Sequence, residues 1–363
     1  MKAHDFGKYL KRNPGEDACG LEAFVCAVII PAYREEKSLV LALESLFCAD
    51  VSHPVAIIVV VNHPCGSDAT ESLRLLEKLK GMKVPENFHL RTVYSPDLTN
   101  GVGQARKIGF DLFCRSRTPE NADTSVMFSL DADCLVDKRY FTAVLSAFET
   151  VGEVGGVVVP VKHQKSDDPD VERAIRSYED YLASYERDLE WAGSPYAFQT
   201  IGSGFAVRVS DYIRCGGMKQ KNAGEDFYFI QELVKCSVVV KVPDALVFPS
   251  PRLSDRVPFG TGTAVEGIIS GKPPREVTRA AVEVLKTVLD TAKEPDGLAD
   301  AEAFLAKLPA EAAGFFKENN FAAVWQRTCI NQKLKDDSSR QKAFNLWFDG
   351  LQTRRFLHSL SER

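Results

Sequence analysis

The sequence predicts an α/β protein: a doubly wound, mainly parallel sheet with a helical C-terminal appendage. Continuous apolar runs rich in β-branched residues recur at Phe24 to Ile30, Val55 to Val61, Val126 to Leu130 and Val157 to Val161. Such runs read as strands buried on both faces. The first three are followed by helical periodicity beginning near Glu35, Ser67 and Asp137, and Gly103 to Phe113 supplies another helix. Strand and helix therefore alternate, which implies parallel pairing through crossover helices. From about Thr263 the pattern becomes wholly helical: Val277, Ala281, Val284 and Val288 share one face, and aromatic-bearing segments follow around Phe315, Trp325 and Trp347. The 363 residues suffice for one core plus an appended unit. The expected division is an N-terminal extension over 1–23, a main α/β domain over 24–260 and a helical region over 261–363.

Charge and cysteine usage narrow the function. The formal net charge is −5, with both signs dispersed, so no basic stripe exists to neutralise nucleic acid. No run of apolar residues is long enough for a transmembrane span. Met1 to Gly20 has no signal-peptide core. The expected location is the cytoplasm, and peripheral attachment to the inner membrane is compatible with it. The nine cysteines include no Cys-x-x-Cys pair, and Cys26, Cys134 and Cys236 lie in or beside apolar runs, as reduced core residues do. There is no P-loop. The nearest approach to a dinucleotide fingerprint is Gly101-Val102-Gly103-Gln104-Ala105-Arg106, where Arg106 stands in place of the third glycine and no strong strand precedes. That argues against a nicotinamide cofactor.

Chemistry concentrates at Ser129-Leu130-Asp131-Ala132-Asp133, where an apolar run gives way to polar loop. In a strand, residues two apart point the same way, so Asp131 and Asp133 can converge on a hard cation, Mn²⁺ or Mg²⁺, that also holds phosphate oxygens. Taken alone, the pair reads more readily as a surface turn. Ligands on doubly wound sheets bind outside the carboxyl ends of the strands. That rule places Pro31 to Glu35, Asn62 to Asp68 and Asp131 to Asp133 on one rim. Pro169 opens a long helix whose Ile175, Tyr178, Leu182, Tyr185 and Leu189 step by three and four. Its tyrosines either line an acceptor cleft or pack a core.

Further along come Gly202-Ser203-Gly204, Gly216-Gly217-Met218 and Gly224-Glu225-Asp226. The ordered set Val28 to Glu36, Gly101 to Gly109, Leu130 to Asp133 and Gly224 to Asp226 resembles family 2 of the glycosyltransferases, nucleotide-sugar transferases of the GT-A fold, over roughly residues 24 to 250. The resemblance implies that Asp131 and Asp133 hold the metal on the donor's diphosphate. It implies Asp226 as general base of an inverting reaction, with Glu225 beside it. Pro31, Ala32 and Tyr33 match the loop that meets the nucleotide base, with Glu35 closing that side. Arg106 matches a basic position near the nucleotide, and Gly202, Ser203 and Gly204 match the wall near sugar and acceptor. The implied reaction moves a sugar from a nucleotide-diphosphate donor to an acceptor hydroxyl.

The residue types suit that reaction on chemical grounds. Negative charge grows on the departing diphosphate, which a cation offsets, while a carboxylate opposite takes the acceptor proton. Some positions depart from the family pattern. Asn62 stands where an aspartate is usual; an amide both donates and accepts, so a guanosine donor stays open beside a uridine one. Asp68 reads as a base contact or as a helix cap. Arg34 and Lys107 read as phosphate contacts or solvated surface, and His63 and His163 as third metal ligands or ordinary neighbours. Arg252 and Arg256 could fold over a diphosphate as a lid. The rival readings are a catalytically silent nucleotide-sugar-binding or scaffold subunit, and a sugar-phosphate nucleotidyltransferase. The latter needs a glycine-rich phosphate loop that Pro31-Ala32-Tyr33-Arg34 lacks. The helical region could also support a homo-oligomer.

Overall fold

A computed structural model describes residues 1–150, 153–199, 201–221, 224–244, 246–252 and 260–361. Nine strands appear among them: β1 (Cys26–Ala32), β2 (Val55–Pro64), β3 (Phe88–Leu98), β4 (Val126–Ser129), β5 (Cys134–Val136), β6 (Val154–Val158), β7 (Phe205–Arg208), β8 (Val238–Lys241) and β9 (Val247–Pro249). Seven form one sheet in the order β3-β2-β1-β4-β7-β6-β8, and β5 pairs with β9. Every pairing in the large sheet is parallel except those of β7, which runs against both β4 and β6. The expected doubly wound, mainly parallel architecture is therefore present, with one reversed strand.

The central strands are apolar because both of their faces are covered. All seven residues of β1 are buried, as are the first nine of β2. Their outward neighbours are the helices Glu36–Phe47, Thr70–Lys80, Gly101–Arg115 and Tyr140–Thr150, and one contiguous core joins Val28, Ile30, Ile57, Val59, Phe128 and Phe141 to Leu39, Leu43, Leu75 and Val144. Two strands depart from the expected pattern. β3 lies at a sheet edge with only Phe88, Val93 and Leu98 buried, so it lacks the continuous apolar run that marks the inner strands. The run Val157 to Val161 is strand only to Val158. Pro160 has no backbone N–H to donate, and Val161 makes a single bridge to Val247.

The chain divides into two compact units. The first comprises 1–176 with 200–271, and the second 177–199 with 272–363. Residues 1–23 belong to the first, where the helix Ala3–Arg12 buries Phe6 and Tyr9. The helix Thr261–Ile269 also groups with the first unit, whereas 177–199, expected in the main domain, groups with the C-terminal helices. The second unit is held by aromatic packing: Phe304, Phe316, Phe321 and Phe344 are fully buried, with Trp325 stacked on Phe321. Tyr185 and Leu189 join this core, while Tyr178 stacks on Tyr181 at 6.3 Å. Among the described residues no helix is long and apolar enough to cross a membrane. Cys26, Cys114 and Cys134 are buried thiols, but Cys236, expected in the core, is exposed: it ends the helix Glu225–Cys236 beside edge strand β8.

Candidate active site

The site lies at the rim where β1, β2 and β4 end. β4 stops at Ser129, and the chain turns tightly so that the Cys134 N–H donates to the Asp131 carbonyl at 3.1 Å. The two aspartates converge through this turn, not through strand alternation. Acidic oxygens of Asp131 and Asp133 and the Cys134 sulfur lie within 4.8 Å of one another. Burial holds the Cys134 thiol well above its ordinary pKa, and its Sγ donates to Asp133 Oδ1 at 3.7 Å. A neutral buried thiol is a poor ligand for a hard cation, so the two carboxylates form the oxygen donor set that suits Mn²⁺ or Mg²⁺. Desolvation, reinforced by the neighbouring charge of Asp131, pushes Asp133 up to about 6.

The reversed strand brings a second loop to this rim. Phe205 of β7 pairs with Ser129 of β4, so the residues that precede β7 sit beside those that follow β4. Gly202 accepts the Ser129 hydroxyl on its carbonyl at 2.6 Å. Glycine is needed at 204, where a Cβ would come within 2.6 Å of the Val159 carbonyl oxygen. Ser203 between them is buried.

Arg106 ties these pieces together. It projects from the helix Gly101–Arg115 and is 2% exposed. Its Nε donates to Glu225 Oε1 at 2.9 Å, its Nη1 to Ser129 Oγ at 2.6 Å, and its Nη2 to Asp131 Oδ1. Burial alone would favour the neutral form, but Asp131, Glu225 and Asp226 hold the guanidinium protonated. The basic position expected near the nucleotide is thus occupied by a fully engaged internal clamp. Glu225 and Asp226 open the helix Glu225–Cys236 directly after Gly224, which adopts a left-handed φ of +71°. Asp226 is half-buried and accepts the Phe227 N–H at 2.7 Å. Desolvation by its surroundings, then the charge of Glu225, pushes it up to about 7 against the pull of Arg106.

A second arginine serves the other aspartate. β5 pairs with β9 so that Cys134 faces Pro249, and the Ser250 N–H donates to the Asp133 carbonyl at 3.0 Å. Arg252 follows, bonds the buried Glu35, and reaches Asp133 Oδ2 at 3.1 Å. Arg256 lies outside the described residues.

At the neighbouring strand ends, Pro31 and Ala32 end β1 in register with Val60 and Val61 of β2. Tyr33 is half-buried under the Arg34 guanidinium, 5.1 Å from its ring, and the exposed Arg34 pairs with Glu71 at 3.6 Å. Asn62 is buried, with its amide donating to the Ala32 and Val60 carbonyls at 3.2 and 3.0 Å. Asp68 accepts the Thr70 N–H at 3.0 Å at the start of the next helix. Lys107 is bonded to Asp111 at 2.8 Å within the fold. His63 bonds the Tyr94 hydroxyl at 3.0 Å, and neither it nor His163 belongs to a metal-capable group among the described residues. Ser129 is the site residue that the sequence left without a role. Its signal was a hydroxyl at the end of an otherwise apolar strand.

A doubly wound sheet with a carboxylate pair and a separate acid at one rim fits the GT-A class of glycosyltransferase. The chain belongs to glycosyl transferase family 2, whose model matches residues 27–212, just over half of its length. The match ends ahead of Glu225. Among solved structures, the chain is similar to the mannosyltransferase PcManGT from Pyrobaculum calidifontis in complex with GDP-Man and Mn²⁺, at 17% identity, covering 95% of this chain and 93% of that one, with a TM-score of 0.43. It is similar to S. aureus TarS 1-349 in complex with UDP, at 13% identity, 79% and 76% coverage and a TM-score of 0.43. Glucosyl-3-phosphoglycerate synthase from Mycobacterium tuberculosis in complex with UDP gives 13% identity, 73% and 88% coverage and a TM-score of 0.36. No curated protein sequence matches the chain.

Proposed function

We propose that this glycosyltransferase moves a sugar from a nucleotide-diphosphate donor to an acceptor hydroxyl with inversion, using Asp226 as general base. The reading is carried by one observation: Asp226, pushed up to about 7, shares a rim with the paired carboxylates of Asp131 and Asp133. Those two side chains would hold Mn²⁺ or Mg²⁺, which when bound offsets charge on the departing diphosphate. Asp226 takes the proton of the acceptor hydroxyl as its oxygen bonds the anomeric carbon and the carbon–phosphate oxygen bond breaks. Pro31, Ala32, Tyr33, Glu35 and Asn62 form the donor side, and Gly202, Ser203 and Gly204 flank the sugar. Arg106 holds Asp131 in place, and Arg252 meets the diphosphate. The N-terminal segment 1–23, the main domain 24–260 and the helical region 261–363 are the working division, with the last available to join copies in a homo-oligomer.

The test is release of nucleoside diphosphate from a panel of uridine and guanosine diphosphate sugars, with Mn²⁺ or Mg²⁺ and with or without candidate acceptors. One donor is expected to give metal-dependent release, and product analysis to show an inverted anomer. Absence of release from every donor would instead favour a silent binding subunit. A retained anomer would remove Asp226 from the role of base.

A further inference from the structure

Gly103 belongs to the stretch that mimics a dinucleotide fingerprint, and its surroundings are unlike those of such a motif. Its N–H donates to the Lys221 carbonyl at 3.1 Å. A Cβ there would stand 2.5 Å from the Lys221 oxygen, 2.8 Å from the Lys221 nitrogen and 2.9 Å from the Lys219 oxygen. All three are backbone atoms, so no rotamer change can make room. The space beside Gly103 is filled by the protein's own chain on its way to Glu225 and Asp226.

The same helix grips that connection at two further points. Arg106, three residues on, holds Glu225. One turn beyond it, Asp111 accepts the Tyr9 hydroxyl at 2.7 Å, and Tyr9 abuts Gly217, where a Cβ would lie 2.2 Å from the phenol oxygen. Gly216 and Gly217 both adopt left-handed φ values, +82° and +74°, that admit this approach. Residues 217 to 221 and Glu225 are thereby docked along one helix, and the middle anchor is the one where an added methyl meets only backbone atoms.

We propose that Gly103 is a positioning residue for the reaction: it lets the 219–221 backbone seat on the helix and so sets where Asp226 stands. This rests on Asp226 being the base. In a Gly103→Ala variant kcat should fall at least tenfold, while the donor KM and the Mn²⁺ activation constant stay within threefold. The acidic limb of the kcat–pH profile should also move down as Asp226 gains water. Gly109→Ala is the control, because its Cβ would strike Ile29 in the core at 2.6 Å and destabilise the same helix away from the connection; its pH profile should be unmoved. Should Gly103→Ala not fold, Lys219→Gly with Lys221→Gly loosens the docked backbone and is expected to lower kcat about threefold at constant donor KM, from the entropy of two freed residues. An unmoved acidic limb in folded Gly103→Ala, or unchanged kcat in the double variant, overturns the proposal. Asp226→Asn is assayed alongside: if it turns over normally, the base assignment itself fails, whatever Gly103 does.

Discussion

Arg106 and Arg252 solve the same problem in two environments. Each bridges one member of the aspartate pair to a glutamate from another loop: Arg106 joins Asp131 to Glu225, and Arg252 joins Asp133 to Glu35. The Arg106 side chain is 3% exposed and also bonds Ser129, whereas that of Arg252 is 33% exposed. A buried guanidinium with its partners complete cannot leave without stranding two carboxylates. A half-exposed one can be exchanged for another cation. The first is framework and the second is replaceable charge, although the sequence offers the same residue for both.

The largest effect should come from breaking the buried member. Arg106→Leu should cost about 3 to 5 kcal/mol in urea unfolding, the usual penalty for orphaning a buried pair, and abolish transfer. Arg106→Lys should rescue little, because an ammonium cannot serve three acceptors in a planar fork. Next, Asp226→Asn should lower kcat by about 10² to 10⁴ while Mn²⁺ binding by calorimetry is kept. Turnover near the wild-type value would refute the base.

The raised pKa of Asp226 predicts two pH effects. As a base it works only when ionised, so kcat/KM, which reports the free enzyme, should fall on acidification through an apparent pKa near 7, well above the ordinary carboxyl range. Stability runs the other way. A carboxyl whose folded pKa is raised helps the folded state below about pH 4 and loses that help as pH rises through about 7. Asp226→Asn should therefore unfold like the metal-free wild type at pH 4 and be more stable by about 2 kcal/mol at pH 8. Equal stability at pH 8 would mean that the acid is not desolvated. The smallest effect belongs to Arg252. Arg252→Gln should cost less stability than Arg106→Leu, because a glutamine amide can still donate to the buried Glu35, and should tighten Mn²⁺ binding to the free protein about twofold to fivefold, because a competing charge is gone. Unchanged or weaker Mn²⁺ binding would make Arg252 framework too.

Legibility in the sequence followed burial on two faces. β1, β2 and β4 stand out because their apolar runs are buried up to Ala32, Val61 and Phe128, and their carboxyl ends mark the rim. β3 did not, since an edge strand alternates too weakly to stand out. Strand alternation predicts that Asp131 and Asp133 converge, and they do, but through a turn. Arg106 was visible as a basic residue but not as a clamp. Its partners Ser129 and Glu225 lie 23 and 119 residues away and meet it only through the fold. Gly103 was likewise visible as a glycine in a familiar spacing, while what fills the space beside it could not be read from spacing at all.

The reversal of β7 carries one last consequence. Side chains alternate along a strand, so a deletion of one residue between Ile201 and Gly204 would either pull Phe205 off its partner Ser129 or turn Phe205 and Val207 outward and Ala206 and Arg208 to the opposite layer. The short glycine-bearing stretch therefore behaves as a ruler. Its length is set by hydrogen-bond pairing on one side and, on the other, by the Arg106 guanidinium, which a Cβ on Gly202 would meet at 2.3 Å; only at Ser203 should a substitution that keeps the count be far better tolerated than a change of length.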